Sequence, residues 1–483
     1  MEEILSIDHV KSEIFYDEIF DEERSIRPYY AEVMAHFGKI SKSDFKRLNE
    51  LTRANFFKQG ITFAVYSEQN VGVERIFPFD LIPRVIPRSE WCSIENGILQ
   101  RNIAVNMFIK DVYNEKHILR DGVVPADLIF SSSFYCREME GFIPPSGIYT
   151  HIVGTDLIRH SDGDYYVLED NLRCPSGVSY VLSNREAMKK AFFNLFSRSN
   201  VMPVNDYPQA LFETIRSVAP QSVDKPNCVV LTPGFYNSAY FEHSFLAMSM
   251  GMQLVEGRDL FVEHNFVYMK TINGPKRVDV IYRRIDDEFI DPLCFRENSF
   301  IGVPGIMGAY RSGNVTLINA PGAGMADDKA VYTYMPDIIR YYLGEDMILK
   351  NVQTYKCENA SDLKFVMEHM GNLVVKPVDE SGGYGVFIGT KHTKAEAEAY
   401  KKLVLKNPRK YIAQPIMNLS VQSTYIEEAD TIEPRHIDLR AFSLMGKDKN
   451  FVLKGGLTRV ALKKGSLIVN SSQGGGSKDT WVV

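Results

Sequence analysis

Val374-Val-Lys376-Pro ends an apolar run in a lysine, and Ser381-Gly382-Gly383-Tyr-Gly385-Val follows five residues on. Glycines let backbone N–H groups approach a polyphosphate without Cβ clashes, and a neighbouring lysine supplies the counter-charge. Strand-like residues flank the loop on both sides, and no Gly-Lys-Ser/Thr follows, so this is not a Walker A loop. The competing reading is a tight hairpin with an exposed lysine.

Asp156 and Glu169 offer a different chemistry. They sit in Gly154-Thr-Asp156 and Glu169-Asp170-Asn171, on either side of an Asp162-Gly163 turn signal. A hairpin there would bring the two acids from adjacent strands together. Glu169 and Asn171 are two apart, so a strand turns them to one face. Their oxygens are hard ligands suited to Mg²⁺, which takes few protein ligands and fills its shell with water and phosphate. An acidic edge strand is the plainer alternative, although asparagine is a poor strand residue. Pro175-Ser176-Gly177 closes the segment.

A third group lies near the end of the sequence: Arg435-His436-Ile-Asp438-Leu-Arg440, then Thr458-Arg459, then Val469-Asn470 and the glycines at 474–476. Alternation sets Asp438 and Arg440 on one strand face, where they could bind a ligand or merely pair. Arg459, and Asn470 before the glycines, suit phosphate oxygens. A flexible tail is the alternative for 474–477. Two more clusters stand out. Residues 319–329 could be a loop and helix N-cap with nothing more. Tyr282-Arg283-Arg284-Ile-Asp286-Asp287 closes an expected strand, and ligands in α/β sheets usually bind at strand ends. The ten histidines show no His-Glu-x-x-His spacing, which argues against a zinc hydrolase.

These residues need elements to position them. Residues 1–58 have helical apolar spacing, and 61–66 reads as a strand. Ile94, Ile98, Val105, Phe108, Ile109 and Val112 recur at helical spacing over 94–113. Strands are expected at 148–153 and 165–168, and a helix at 185–197. The proline-rich stretch 216–227 reads as a boundary. Beyond it, a buried strand at 228–231, a helix at 238–250 and strands at 253–256 and 278–282 alternate as a parallel sheet requires. A second junction falls at 345–360. Strands at 372–376 and 386–388 then flank the glycine loop, followed by a charged helix at 393–407 and a strand at 411–416.

Composition sets the outer limits. The 483 residues suffice for two or three domains. A hydrophobic share of 45% and a charged share of 24% exclude disorder, collagen and coiled coil as whole-chain readings. Fifty-five basic against 61 acidic residues give a net charge of −6, which disfavours a general nucleic-acid binder. Six cysteines without a C-x-x-C pair read as reduced thiols in a cytoplasmic protein. The acidic N-terminus lacks a signal-peptide core, and no apolar run reaches the ~18 residues of a membrane span. Neither nucleic acid nor membrane is therefore expected as a partner.

Taken together, the motifs resemble the ATP-grasp superfamily of carboxylate–amine ligases, and their order resembles its circularly permuted branch, type 2. In the unpermuted families the Asp…Glu-x-Asn segment comes last. Here it comes first, and Asp328-Lys329, Lys376, the glycine loop, Gln414, Asp438-Leu-Arg440, Arg459 and Asn470 follow. The resemblance spans roughly residues 60–483. It implies an α/β chain with a circularly permuted ATP-grasp fold, an α/β pre-ATP-grasp domain and an N-terminal helical segment. The expected divisions are 1–60 (helical segment), 61–215 (Mg-binding lobe, permuted to the front), 216–350 (pre-ATP-grasp domain), 351–430 (ATP-binding lobe) and 431–483 (the rest of the Mg-binding lobe).

The resemblance also implies roles. Lys329 and Lys376 would contact ATP, and Ser381, Gly382, Gly383 and Gly385 would cover its phosphates. Gln414 would lie at the adenine hinge, and Asp438 would join the nucleotide site. Asp156, Glu169 and Asn171 would hold Mg²⁺. Arg459 and Asn470 would face the γ-phosphate and the acyl phosphate. D-alanine ligases carry an arginine two residues before the first metal aspartate, where this sequence has Gly154, so Arg459 or Arg440 must stabilise the oxyanion. Gln414 replaces an acid common at the hinge, which leaves the ribose contact open.

The implied reaction uses ATP to phosphorylate a carboxylate, after which an amine displaces phosphate. The substrates would be a small-molecule or peptide carboxylate and an amine. The family is commonly associated with an α-helical partner protein and transglutaminase-like proteins. Two rival readings stand beside this one: a phosphotransferase working through His436, and a non-catalytic ATP-binding scaffold for a partner.

Overall fold

The computed structural model describes residues 15–67, 70–221, 223–378, 385–467, 469–470 and 474–483. Ser41 starts the helix Lys42–Lys58 by accepting a hydrogen bond from the Asp44 amide at 3.1 Å. That helix and Ala31–Phe37 bury Phe45 and Phe37 against Leu81, Tyr425 and Trp481. β1 (Thr62–Ser67) and β2 (Asn70–Ile76) pair as an antiparallel hairpin. β3 (Phe79–Ile86) leads into the long helix Arg88–Tyr113.

β4 (Ile152–Arg159) and β5 (Tyr165–Asn171) form the hairpin expected around Asp162-Gly163. The strand expected at 148–153 starts later than its apolar pattern suggests. The amides of Tyr149 and Thr150 donate to Asn106 Oδ1, and those of His151 and Ile152 to Asn319 Oδ1. Side chains thus take the place of a strand partner, and pairing begins at Ile152. The helix expected at 185–197 begins at Val178 and divides at Phe192 into Val178–Ala191 and Phe193–Arg198.

The α/β unit comes next. β6 (Cys228–Leu231) and β7 (Gln253–Val255) precede a small antiparallel sheet of β8 (Leu260–Glu263), β9 (Phe266–Met269) and β10 (Lys276–Val278). β11 (Val280–Arg283) and β12 (Thr316–Ile318) follow. β12-β11-β6-β7 pair in parallel, so the carboxyl ends of β6 and β11 open on the same edge. The fully buried run Cys228-Val-Val-Leu231 suits a strand covered on both faces.

β13 (Lys350–Asn351) extends the main sheet beside β5. β14 (Tyr355–Lys356), β15 (Leu373–Pro377), β16 (Phe387–Ile388) and β17 (Tyr411–Pro415) form a separate antiparallel sheet. Its core joins Val375, Phe387 and Ala413 to Val366 and Val404 from the helices Ala360–His369 and Lys394–Lys406. Residues 378–386, which include the glycines, come between β15 and β16 in the sequence. β18 (Val421–Ile426), β19 (Thr431–Met445), β20 (Asn450–Val460) and β21 (Gly476–Val482) complete the chain.

The main sheet runs β13-β5-β4-β19-β20-β21-β3, with β18 also paired to β19. β21 lies antiparallel to β20 and parallel to β3. Strands from opposite ends of the sequence are therefore neighbours, as the permuted order requires. Among the described residues, no helix is long and apolar enough to cross a membrane.

Candidate active site

Strand register assembles the site on one face of the main sheet. Asp156 lies opposite Glu169 on β5 and opposite Arg440 on β19, and Asp438 lies opposite Arg459 on β20. The register shifts after Asp156, leaving Leu168 as an extra residue on β5. A bulge of this kind re-aims the side chains beyond it. Glu169 and Asn171 keep the site face. Asp170 takes the other side, buried against Arg101 at 2.5 Å and Thr155 Oγ1 at 3.1 Å.

A chain of charges crosses the sheet. Arg440 donates from Nε and Nη2 to the two Asp156 oxygens at 2.6 and 2.8 Å, and Arg459 Nη2 reaches Asp156 at 2.8 Å. Arg459 also binds Asp438, with Nε at 2.8 Å. Burial alone would raise the Asp156 carboxyl, but Arg440 and Arg459 outweigh it and hold the group well below the usual carboxylate range. Burial pushes Asp438 up, against the pull of Arg459. The sequence left Asp438 and Arg440 as possible partners of each other; each in fact pairs across strands. Asp156 sits within β4, not at a strand end, and is only 2% exposed.

The lysines converge from two other elements. Lys329 opens the helix Lys329–Tyr332, which Asp328 caps by accepting from the Ala330 amide at 2.8 Å. Its Nζ lies 3.7 Å from Glu169 Oε2. Lys376 Nζ donates to Gln414 Oε1 at 2.7 Å, and Gln414 Nε2 donates to Thr354 Oγ1 at 2.9 Å. Burial lowers the Lys376 ammonium to about 8, while Glu169 pulls it up and Lys329 pushes it further down. Lys376, Lys329 and Glu169 thus feel one another's charge, although they come from three separate parts of the chain.

The remaining expected residues are less connected. Gly385 follows the glycine loop with φ 66°, and its carbonyl accepts from Tyr400 OH at 2.6 Å. Ser381, Gly382 and Gly383 lie outside the described residues. The Asn470 carbonyl accepts from the Gly475 amide at 3.1 Å. His436 gives a ring nitrogen to the Leu419 carbonyl at 3.0 Å and packs edge-on against Phe15. Gly154 has a steric reason to lack a side chain: a Cβ there would lie 3.0 Å from Pro175 Cβ and 3.6 Å from Arg440 Cδ. The Arg440 side chain occupies that space.

A cleft of about 380 Å³ continues from this site to the carboxyl ends of β6 and β11. Asn171 and Arg440 line it from the sheet, and Asn237, His243, Arg284 and Asp286 from the α/β unit. Several of its determinants escaped the sequence reading. Asn319 was read as part of a loop, yet it bonds to the backbone at the start of β4 and beyond the end of β5, with Nδ2 at 2.7 Å from both the Ile152 and Leu172 carbonyls. Asp327 holds the Leu172 amide at 2.5 Å and Arg173 Nε at 2.8 Å. Glu242, inside the expected helix at 238–250, pairs with Arg284 at 3.1 Å. The 319–329 and Tyr282-Arg283-Arg284 clusters stood out in the sequence, but these partners did not.

Two hard donors stand ready for a divalent cation. The Asn171 amide donates Nδ2 to the Gly154 carbonyl at 3.0 Å, which leaves Oδ1 as its available end, beside Glu169. Asp156 is the third candidate, with both oxygens engaged by arginines. Among the described residues, no group of three or more His, Cys, Asp or Glu could hold a metal by itself. Four cations, Lys329, Lys376, Arg440 and Arg459, face three carboxylates, Asp156, Glu169 and Asp438. That balance repels a bare dication. It fits Mg²⁺ accompanied by a polyphosphate, whose negative charge the lysines and arginines match.

The chain is similar to known proteins over most of its length. The family model for circularly permuted ATP-grasp type 2 matches residues 83–461. An uncharacterized protein of Synechocystis is 50% identical over 97% of this chain and 97% of its own length. One of Mycobacterium tuberculosis is 49% identical over 97% of this chain and 84% of its own. A Frankia casuarinae protein provisionally named glutamate–cysteine ligase is 37% identical; the match covers 97% of this chain but 53% of that protein. Among solved structures, a glutathione synthetase-like effector of Globodera pallida, in its apo form, aligns with a TM-score of 0.58 at 11% identity. The alignment covers 92% of this chain and 98% of that one, a likeness of fold.

Proposed function

The chain belongs to the circularly permuted ATP-grasp type 2 family, and from that premise we propose an ATP-dependent ligase that joins a carboxylate to an amine through an acyl phosphate. The observation that carries this reading is the continuity of two spaces. The sheet face that carries Asp156, Arg440 and Arg459 adjoins a polar cleft at the strand ends of the α/β unit, with Asn171 and Arg440 belonging to both. Lys329 and Lys376 would bind ATP phosphates, with the glycine loop over them. Asp156 holds Arg440 and Arg459 in fixed directions, where they would neutralise charge on the transferring phosphoryl group and the attacked carbonyl oxygen. Glu169 and Asn171, with Asp156, would hold Mg²⁺, which supplies charge neutralisation between ATP phosphates. The cleft would admit the carboxylate and the amine and exclude water from them.

The name of the Frankia relative is in keeping with C–N bond formation, although this chain spans about half of that protein. His436 is a poor phosphate carrier, because it is only 7% exposed and one ring nitrogen is tied to a carbonyl. That favours ligation over phosphotransfer. An α-helical protein and a transglutaminase-like protein remain the proposed associates, and a cytoplasmic location the proposed setting.

The test is chemical. Purified protein with Mg·ATP, a pool of amino acids and peptides, and hydroxylamine should release ADP and form hydroxamates. Glu169→Gln keeps the shape but removes a charge from the metal side. It should cut that turnover by about a hundredfold or more and change ligand-free stability by less than ~1 kcal/mol. Full turnover in Glu169→Gln would sink the metal assignment. Phosphohistidine without hydroxamate would replace the ligase reading with phosphotransfer.

A further inference from the structure

We propose that Gln414 is a positioning residue for Lys376: it does not touch the nucleotide, and instead ties this lysine to the strand that carries Glu169. The proposal rests on the nucleotide-binding part of the ligase reading. It gives Gln414 a role other than the hinge contact that the resemblance implies.

Two neighbours fix which way the Gln414 amide points. Lys376 Nζ has only protons to give and lies 2.7 Å from one end, so that end is Oε1. Thr354 Oγ1 gives its single proton to the Val352 carbonyl at 2.9 Å. It can therefore only accept from Gln414, and the group 2.9 Å away is Nε2. Both ends of the amide are engaged, and Gln414 is only 2% exposed. Lys376 is half-buried, and among the described residues Gln414 is the one hydrogen-bond partner of its Nζ. An ammonium has three N–H groups, so the anchored lysine keeps two uncommitted.

Strand register makes the contact. Across β15 and β17, Gln414 lies opposite Val374 and Lys376 opposite Ile412. Gln414 and Lys376 are therefore diagonal neighbours on one face, within reach for long side chains. Val375 and Ala413, one residue along on each strand, turn to the core on the other face.

The line continues into the main sheet. Val352 and Thr354 lie where the chain leaves β13 of the main sheet and enters β14 of the smaller one. The Val352 amide donates to Tyr332 OH at 2.8 Å, and Tyr332 OH donates to the Val167 carbonyl of β5 at 2.5 Å. Hydrogen bonds thus run from β5 through Tyr332, Val352, Thr354 and Gln414 to Lys376. Glu169 is two residues past Val167 on the same strand. A cation and an acid that come from different sheets are held in one frame by this line. Phosphoryl transfer depends on such positioning, since small misplacements of a charged group are felt in full.

The experiment is a double-mutant cycle on the full chain with Mg²⁺ and the non-hydrolysable analogue AMP-PNP. Affinity is read by displacement of a fluorescent ATP analogue. Gln414→Met keeps the length of the side chain and leaves the Thr354 bond to Val352 in place. It should weaken AMP-PNP about tenfold, as loss of a hydrogen bond to a charged group does. On a Lys376→Met background the same change should matter by less than about twofold, because the residue it positions is gone. Equal losses on both backgrounds overturn the proposal, since Gln414 then meets the nucleotide on its own. Wild-type affinity in a folded Gln414→Met overturns it as well. If Gln414→Met does not fold, Thr354→Val, which frees the amide to turn, takes its place in the cycle under the same outcomes. A wild type that fails to bind AMP-PNP removes the nucleotide reading and this inference with it. Firm wild-type binding with equal losses on both backgrounds strikes only at Gln414.

Discussion

Lys376 carries opposite pH dependences for folding and for binding. Burial lowers its ammonium to about 8 in the folded protein, whereas an unfolded lysine titrates near 10.4. Between these values the unfolded chain holds more protons, so ligand-free stability should rise with pH across that window. Phosphate binding needs the charged form, so Mg·ATP affinity should fall across the same window. Urea unfolding and calorimetry from about pH 7.5 to 9.5, on wild type and Lys376→Met, would separate the two trends. A wild-type-minus-variant stability difference that stays flat with pH would show that the lysine does not titrate there. The direction follows from a desolvated cation whose strongest favourable charge, Glu169, is also approached by Lys329.

Asn319 does its work between elements. One side chain satisfies the His151 and Ile152 amides and the Ile152 and Leu172 carbonyls, fastening the α/β unit to the hairpin that carries Glu169 and Asn171. Asn319→Ala leaves several buried groups unpaired, and a loss on the order of 3 kcal/mol in urea unfolding is expected. A loss below ~0.5 kcal/mol, the range of an ordinary surface substitution, would show that water replaces these bonds. This clamp marks what a sequence reading reaches and what it misses. The Asp156/Glu169 hairpin was legible because a turn signal and alternation act over a short stretch. The Arg284–Glu242 and Asn319–His151 pairs were not, since the partners are 42 and 168 residues apart and neither has a local pattern. The late start of β4 has the same cause: an apolar run at 148–153 looks like a strand until distant asparagines take its amides. Period-two counting set Asp170 apart from Glu169 and Asn171, but its partner Arg101 is 69 residues away and gave no signal.

At the scale of the whole molecule, the order of motifs revealed more than any one of them, because a permuted order demands that β21 lie beside β3. It does, with Lys478 and Asp80 meeting across 398 residues. The main sheet draws β3, β4 and β5 from before residue 172 and β13 and β18–β21 from beyond residue 349, and the parallel sheet likewise mixes β6 and β7 with β11 and β12. Neither half of the sequence owns a complete core. The chain can therefore be treated as two interlocking pieces that need not be covalently joined. The turn at 271–274, where Thr271 Oγ1 caps the Gly274 carbonyl at 2.6 Å and Ile272 is fully exposed, is a natural place to part them. Fragments 1–273 and 274–483, co-expressed, should copurify as a folded pair, while each alone should aggregate. Conditional reconstitution of the two pieces would then switch the enzyme on by dimerisation, with no contact made at the nucleotide site.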